Sequence, residues 1–421
     1  MSAAAVGIPD AERLRGVQRR TIWILSLGQI LGGLAFGATV SLGAVLAADI
    51  SGDEAFSGWA TASVTLGTAL TAVPLAALAR RGGRRPSLAS GMLVAIVGVV
   101  LVVFATGARS FPLLIIAFVL VGAGQAANLQ SRFAAADLAT DASRGRDLSI
   151  VVWATTIGAV LGPNLVGPGE VIGDALGMPS LTGPYLFTIV AQALGIVLYL
   201  ALLRPDPLRL AQRITAHHGA AGARVAHADR PGAARYAMLA IAGAHGVMVS
   251  VMAMTPVHLI HAGATLEIIG LTISLHIAGM YALSPVFGIL ADRLGRVATI
   301  LVGQALLVAS LVTAALGQHS AAAVTVALIL LGLGWSATTV SGAALLTEAS
   351  AEDRRTRRQG RNDFVMSLVG AIGAIVAGLV LSWIGYGGLA LCALAIVAVV
   401  TALAPLGRTR PPAVGEERPA S

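Results

Sequence analysis

The chain is 421 residues long, 56% hydrophobic and 11% charged, with a mean hydropathy of +0.84. Soluble domains carry about 25% charged residues, so these figures exclude a soluble fold and leave no room for a sizeable appended soluble domain. The formal charge of +8 sets arginine against carboxylate with no lysine, and the arginines cluster between apolar runs, which is how membrane orientation is written rather than nucleic-acid binding.

Residues 1–20 form a short tail in which Arg13, Arg15, Arg19 and Arg20 precede an apolar run too long for a signal-peptide core. A spanning helix needs about 20 apolar residues. Such stretches at 21–47, 57–79, 87–106, 112–131, 148–168 and 184–203 predict six spans. A further six are predicted at 236–260, 268–290, 298–316, 321–345, 364–384 and 387–406. Two six-helix halves, 21–203 and 236–406, are thus separated by a polar linker, 204–235, and followed by a tail, 407–421. The linker holds six arginines, and its His217, His218 and His227 have poor ligand geometry and belong to a solvated loop. The single cysteine, Cys392, excludes an intramolecular disulfide and a cysteine metal site.

An even number of spans puts both ends on one side. The two tails and the loops after spans two, four, six, eight and ten hold 27 of the 28 arginines. The opposite loops hold Arg109 beside Asp49, Asp53, Glu54, Glu170 and Asp174. The arginine-rich side is therefore expected to be cytoplasmic, with both termini on it. The halves also resemble each other: Gly83 and Gly295, Arg146 and Arg358, and Gly158 and Gly370 are each 212 residues apart. These features predict an all-α membrane protein of twelve transmembrane helices in two pseudo-symmetric halves.

Polar residues inside spans are costly, so they are informative. Gln29 lies in span one. Gln125, Asn128 and Arg132 fall at spacings of three and four, on one stripe of span four. Asp137 and Glu348 follow spans four and ten, near Arg144, Arg146, Arg355 and Arg358 in the chain, and are expected to form gate networks. Span five reads Gly158-x-x-x-Gly162-Pro163, where small residues allow close helix approach and proline removes a donor. Span seven carries His245, Met248, Met252 and Thr255 along one stripe, and span eight carries His276 and Met280. Thioether and imidazole suit a cuprous ion, and i, i+4 pairs project from one face. Met248, Met252, His276 and Met280 are therefore metal-ligand candidates, while the same stripes serve equally as an organic-substrate face or, for methionine, as packing.

The loop after span eight reads Gly288-Ile-Leu-Ala-Asp292-Arg293-Leu-Gly295-Arg296. It resembles the G-x-L-A-D-R-x-G-R signature of the major facilitator superfamily. The first-half copy, Ala79-Arg80-Arg81-Gly82-Gly83-Arg84-Arg85-Pro86, keeps the glycine and basic residues but has Arg80 where that family has Asp. The span-five motif resembles that of exporters in the same superfamily. Span four lacks the membrane arginine of proton-coupled drug exporters, with Phe118 at about that place. The M-x-x-x-M and H-x-x-x-M pairs of spans seven and eight resemble the CcoA-like (CalT) copper-uptake branch.

The resemblance implies a secondary transporter that rocks one half against the other and acts as a monomer without a cofactor. It implies gating by Asp292, Arg293, Arg296, Arg132, Asp137 and Glu348. It also implies a cavity lined by spans one, four, seven and ten, with Gln29, Gln125, Asn128, His245, Met248, Met252, His276 and Met280 as substrate contacts. The cargo is expected to be a small solute: copper, in uptake, or a small organic compound, in efflux. An enzyme is not expected, because the chain shows no nucleophile–base set, H-E-x-x-H motif or P-loop.

Overall fold

The computed structural model describes residues 11–53, 56, 58–220, 229–264 and 266–407. His227 and the outer parts of both tails lie outside the described residues. Within them the chain is helical, with no strand. The first half comprises α1 (Ala11–Ser51), α2 (Gly58–Gly82), α3 (Arg84–Gly107), α4 (Phe111–Ala136), α5 (Arg144–Asn164), α6 (Val166–Ala175) and α7 (Tyr185–Leu202). A linker helix, α8 (Pro207–Ala220), follows and includes His217 and His218, which were expected in a loop. The second half comprises α9 (Pro231–His261), α10 (Leu266–Tyr281), α11 (Ser284–Leu294), α12 (Arg296–Leu316), α13 (Ala321–Glu348) and α14 (Glu352–Ala402).

Among the described residues, nine segments are long and apolar enough to cross a membrane. The last, α14, is 51 residues long and is two spans merged through Gly385, whose φ of 72° breaks the helix. With α1 and the α5–α6 pair, these segments account for twelve crossings. Two spans are broken where the sequence removes backbone donors: α5 ends at Asn164, one residue after Pro163, and α11 begins at Ser284-Pro285. Residues 11–20, expected as tail, are the first turns of α1. Large apolar side chains face outward along the spans, Phe104 at 67% exposure and Leu391 at 57% among them, as a lipid-facing surface requires.

The two halves are built alike. In the first, α1 packs on α5 and α3 on α4; in the second, α9 packs on α14 and α12 on α13. Gly83 and Gly295 precede α3 and α12 with φ of 94° and 95°, a left-handed turn that glycine adopts at no steric cost. The repeat spacing therefore marks the same turn twice. The halves meet where α14 crosses α2 and where α5 crosses α10 and α11. At the arginine-rich end they share one apolar cluster, in which Phe133, Leu148 and Val152 join Tyr236, Ile300, Leu346 and Met366.

Close helix approach at Gly158 fixes the α1–α5 pairing. A Cβ there would lie 2.2 Å from the Ile30 carbonyl oxygen and 2.6 Å from the Leu34 nitrogen, both backbone atoms. Gly158→Ala should therefore destabilise the protein by about 1–3 kcal/mol, the usual cost of overpacking. Gly378→Ala, at a position with nothing within 4 Å, should be neutral or stabilising by up to about 1 kcal/mol. Thermal unfolding of the detergent-purified variants checks this, and equal melting temperatures would contradict the packing account.

Candidate functional site

The polar bridges between the halves cluster at the arginine-rich end. Asp292, on the last turn of α11, accepts from the backbone nitrogens of Gly145 and Arg146 at 2.9 Å each. These are orphan donors of the first turn of α5, where the helix dipole also favours an anion. The same carboxylate pairs with Arg296. Arg296 in turn donates to the Asp141 carbonyl at 2.7 Å and pairs with Glu348 at 3.2 Å. Glu348 also pairs with Arg144 at 3.4 Å, again across the halves. Arg293 is exposed and lies apart from these bridges.

Asp137 is paired with Arg84, through contacts of 2.8 and 3.0 Å, and the Arg84 guanidinium crosses the halves to Gln359 at 2.7 Å. The arginines expected near Asp137 and Glu348 are otherwise divided: Arg146 pairs with Asp147, Arg355 with Glu352, and Arg358 with Asp229. The hydrogen bonds from Arg358 hold the Asp229 carboxyl below its ordinary value of 3.8. They tie the end of the linker to α14. Arg84–Asp137 and Arg296–Glu348 are the same pair in the two halves. Asp292 has no such counterpart, because Arg80 stands in its place and is exposed.

Deeper in, Arg132 pairs with Asp363 at 2.6 Å, both side chains buried, and joins α4 to α14. One turn above, Asn128 lies against α1, where a Cβ at Gly32 would be 2.1 Å from its Oδ1. Gln29 donates to Thr155 at 3.1 Å. Gln125 faces a small void between α1, α4 and α7, with Phe36, Thr188 and Gln192. The span-four stripe thus divides: Arg132 crosses the halves, while Gln125 and Asn128 face the first half's own helices.

In the second half the Trp335 indole donates to Nδ1 of His245 at 3.1 Å. Tyr281 meets the Trp335 ring edge-on at 5.8 Å. Tyr281 packs against both the second-half core and the cluster shared by the halves, so this aromatic group borders the interface. Met248 and Met280 are buried in the second-half core, and Met252 packs against it. His276 is fully buried, with Nδ1 against the Leu328 carbonyl at 2.8 Å and no partner at Nε2. Helix α9 packs chiefly on α14 and α10 chiefly on α13, and the two touch each other little, so the methionine pair and the His276 pair sit on separately anchored helices.

The profile of the Major Facilitator Superfamily matches residues 25–280 and 236–421. The chain belongs to that superfamily. Superfamily transporters YdeG and YddS of Bacillus subtilis (strain 168), both described as uncharacterized, are 37% and 36% identical to it. They cover 91% and 90% of this chain, and the matches span 91% and 88% of their own lengths. The riboflavin transporter RfnT of Brucella anthropi is 29% identical over 91% of this chain and 94% of its own. Among solved structures, the human organic anion transporter MFSD10 aligns with a TM-score of 0.75 at 17% identity, covering 92% of this chain and 99% of its own. The transporter FucP, in the outward conformation, aligns at 0.69 and 14% over 92% and 99%. The protein is therefore a multi-pass membrane transporter of small molecules and not an enzyme.

Reading the spans alone missed Asp363, Trp335 and Tyr281, and Arg84 appeared only as a basic residue of the first-half loop, with no partner assigned to it. Asp363 carried a usable signal, a carboxylate at the mouth of an apolar run.

Asp292 supplies the acceptor for two helix-terminal donors and one arginine. Asp292→Ala should weaken the contact between the halves by about 1–3 kcal/mol, the cost of orphaning such donors, and lower the melting temperature. Arg80→Ala, at the matching place in the first half, should leave it unchanged. Equal losses from both variants, by thermal unfolding, would remove Asp292 from the closure.

Proposed function

We propose that the protein is a secondary transporter of the bacterial plasma membrane that works by alternating access and carries a small, flat organic solute. The arginine-rich end, with both termini, faces the cytoplasm, and the described conformation is closed there. The observation that carries this reading is the aromatic group His245–Trp335–Tyr281, set beside the interface of halves that are clasped below it by Arg132–Asp363. Flat rings stack edge-on or offset against indole and phenol, and the indole-bonded imidazole offers a polar edge. The likeness to a riboflavin transporter over most of both chains supports a planar heteroaromatic cargo of that kind.

A second reading keeps the cuprous ion as cargo. Its support is His276: with Nδ1 donating to the Leu328 carbonyl, the lone pair falls on Nε2, the orientation that metal-ligating histidines adopt. Sulfur from Met248, Met252 and Met280 would have to converge on that nitrogen after a rearrangement of α9 and α10.

The two readings separate in one set of uptake assays. In cells lacking their own carriers, the wild type should accumulate riboflavin. Trp335→Ala should cut that uptake at least about tenfold, the size of a lost aromatic anchor. Met248→Leu/Met252→Leu, which keeps volume and apolarity, should transport normally, since such swaps cost less than about 1.5 kcal/mol. Copper accumulation that collapses in the leucine pair, with riboflavin excluded, would reverse the choice.

A further inference from the structure

Two buried arginine–carboxylate pairs cross or approach the interface, and they differ in how completely they are satisfied. Arg84 holds Asp137 with two contacts and Gln359 with a third. Nothing in the Asp137 carboxylate or the Arg84 guanidinium stands among the buried atoms without a partner. That pair is a finished structural joint. Arg132 and Asp363 form one direct contact, at 2.6 Å, with both side chains at least 97% buried. Around it, Arg132 Nε, Asp363 Oδ2 and Asn362 Oδ1 are buried with no hydrogen-bond partner. The further contacts are Asn362 Nδ2 donating to Asp363 at 3.1 Å and Arg132 reaching the Met366 sulfur at 3.9 Å.

A guanidinium presents a planar fork of donors matched to a two-oxygen acceptor. Here that fork holds a carboxylate by one oxygen, so its capacity for a bidentate anion is unspent. Removing one partner of a buried pair leaves the other charge uncompensated and costly. Parting the halves here while Arg132 stays buried would leave its charge uncompensated unless another anion takes the place of Asp363. Asp363 lies on α14 of the second half and Arg132 on α4 of the first, so a movement of one half against the other separates them.

We propose that Arg132 is the anion subsite of the carried solute: a carboxylate or phosphate on the solute replaces Asp363 on the guanidinium and so unclasps the halves. This rests on the flat organic solute proposed above and adds its charge. The ring lies against Trp335 and Tyr281, which packs on the same cluster as Phe133 and Met366, neighbours of Arg132. Solute binding is thereby coupled to gate release through its different affinity for the closed and open arrangements, as any ligand-driven switch requires.

Riboflavin and riboflavin 5′-phosphate differ only in the anion, and both are fluorescent. Binding of each to the full-length protein in nanodiscs is measured by quenching. The wild type should bind the phosphate at least about tenfold more tightly than riboflavin, the size of one charge-assisted hydrogen bond. Asp363→Asn, which frees the fork, should tighten the phosphate and leave riboflavin unchanged; Arg132→Gln should abolish the preference. Should Arg132→Gln fail to fold, Arg132→Lys, which keeps the charge and loses the fork, should narrow it. Equal binding of the two flavins by the wild type, or a preference that survives loss of Arg132, overturns the subsite while leaving the flat-solute reading in place. Binding of neither flavin overturns that reading and the subsite together.

Discussion

The contact between the two halves at the arginine-rich end depends on a few carboxylates placed among like charges. Most of the arginines lie at one end of the molecule, where their mutual repulsion would hold the halves apart. Asp292, Glu348 and Asp363 reverse that, because each accepts from a group on the opposite half. Asp292 is the most economical of them. It uses the free backbone donors and positive dipole of α5 as well as Arg296, so one short side chain answers three donors.

The consequence is an asymmetric clasp on a symmetric frame. Both halves place a left-handed glycine before the third span and pair the following arginine with a carboxylate after the fourth. The second half then adds Asp292, whereas the first half has Arg80. Across α2 and α14 the contact depends instead on close packing, where a Cβ at Gly360 would lie 2.3 Å from that of Ala76, with Arg84 at the start of α3 reaching Gln359 beside it. One joint is electrostatic and the other steric. They respond differently to substitution, since removing one member of a largely buried ion pair orphans its partner, while filling a close backbone approach forces the helices apart.

Much of this was legible in the sequence. The span count and the halves followed from apolar length, arginine placement and the 212-residue spacing. The loop ending in Gly295-Arg296 pointed to Asp292, and a stripe on span four pointed to Arg132. What the sequence withheld was partnership. Arg132 and Asp363 are 231 residues apart, and helical periodicity gives a face without saying what lies opposite it. Trp335 reads as one more apolar residue until His245 is found accepting from it. The methionine stripes show the converse failure: a ligand-like spacing says nothing of whether α9 and α10 turn those atoms toward each other, and α9 packs chiefly on α14 while α10 packs on α13. Local chemistry set the two helix breaks, and the linker helix α8 carried an amphipathic pattern, with Leu208, Leu210 and Ala211 buried, that reading the linker by its polarity alone passed over.

The central claim is that carboxylates on one half hold the arginine-rich end closed and release it when the halves rock. It is tested most directly by electron–electron distances between spin labels on the two halves of the wild-type protein. One label pair sits at the arginine-rich ends of α2 and α14, and another at the opposite ends of α1 and α9. The account predicts two populations in which a short distance at one end accompanies a long distance at the other, with Asp292→Ala shifting weight toward the state open at the arginine-rich end. Distances at the two ends that vary together, or a closed population indifferent to Asp292, would contradict it.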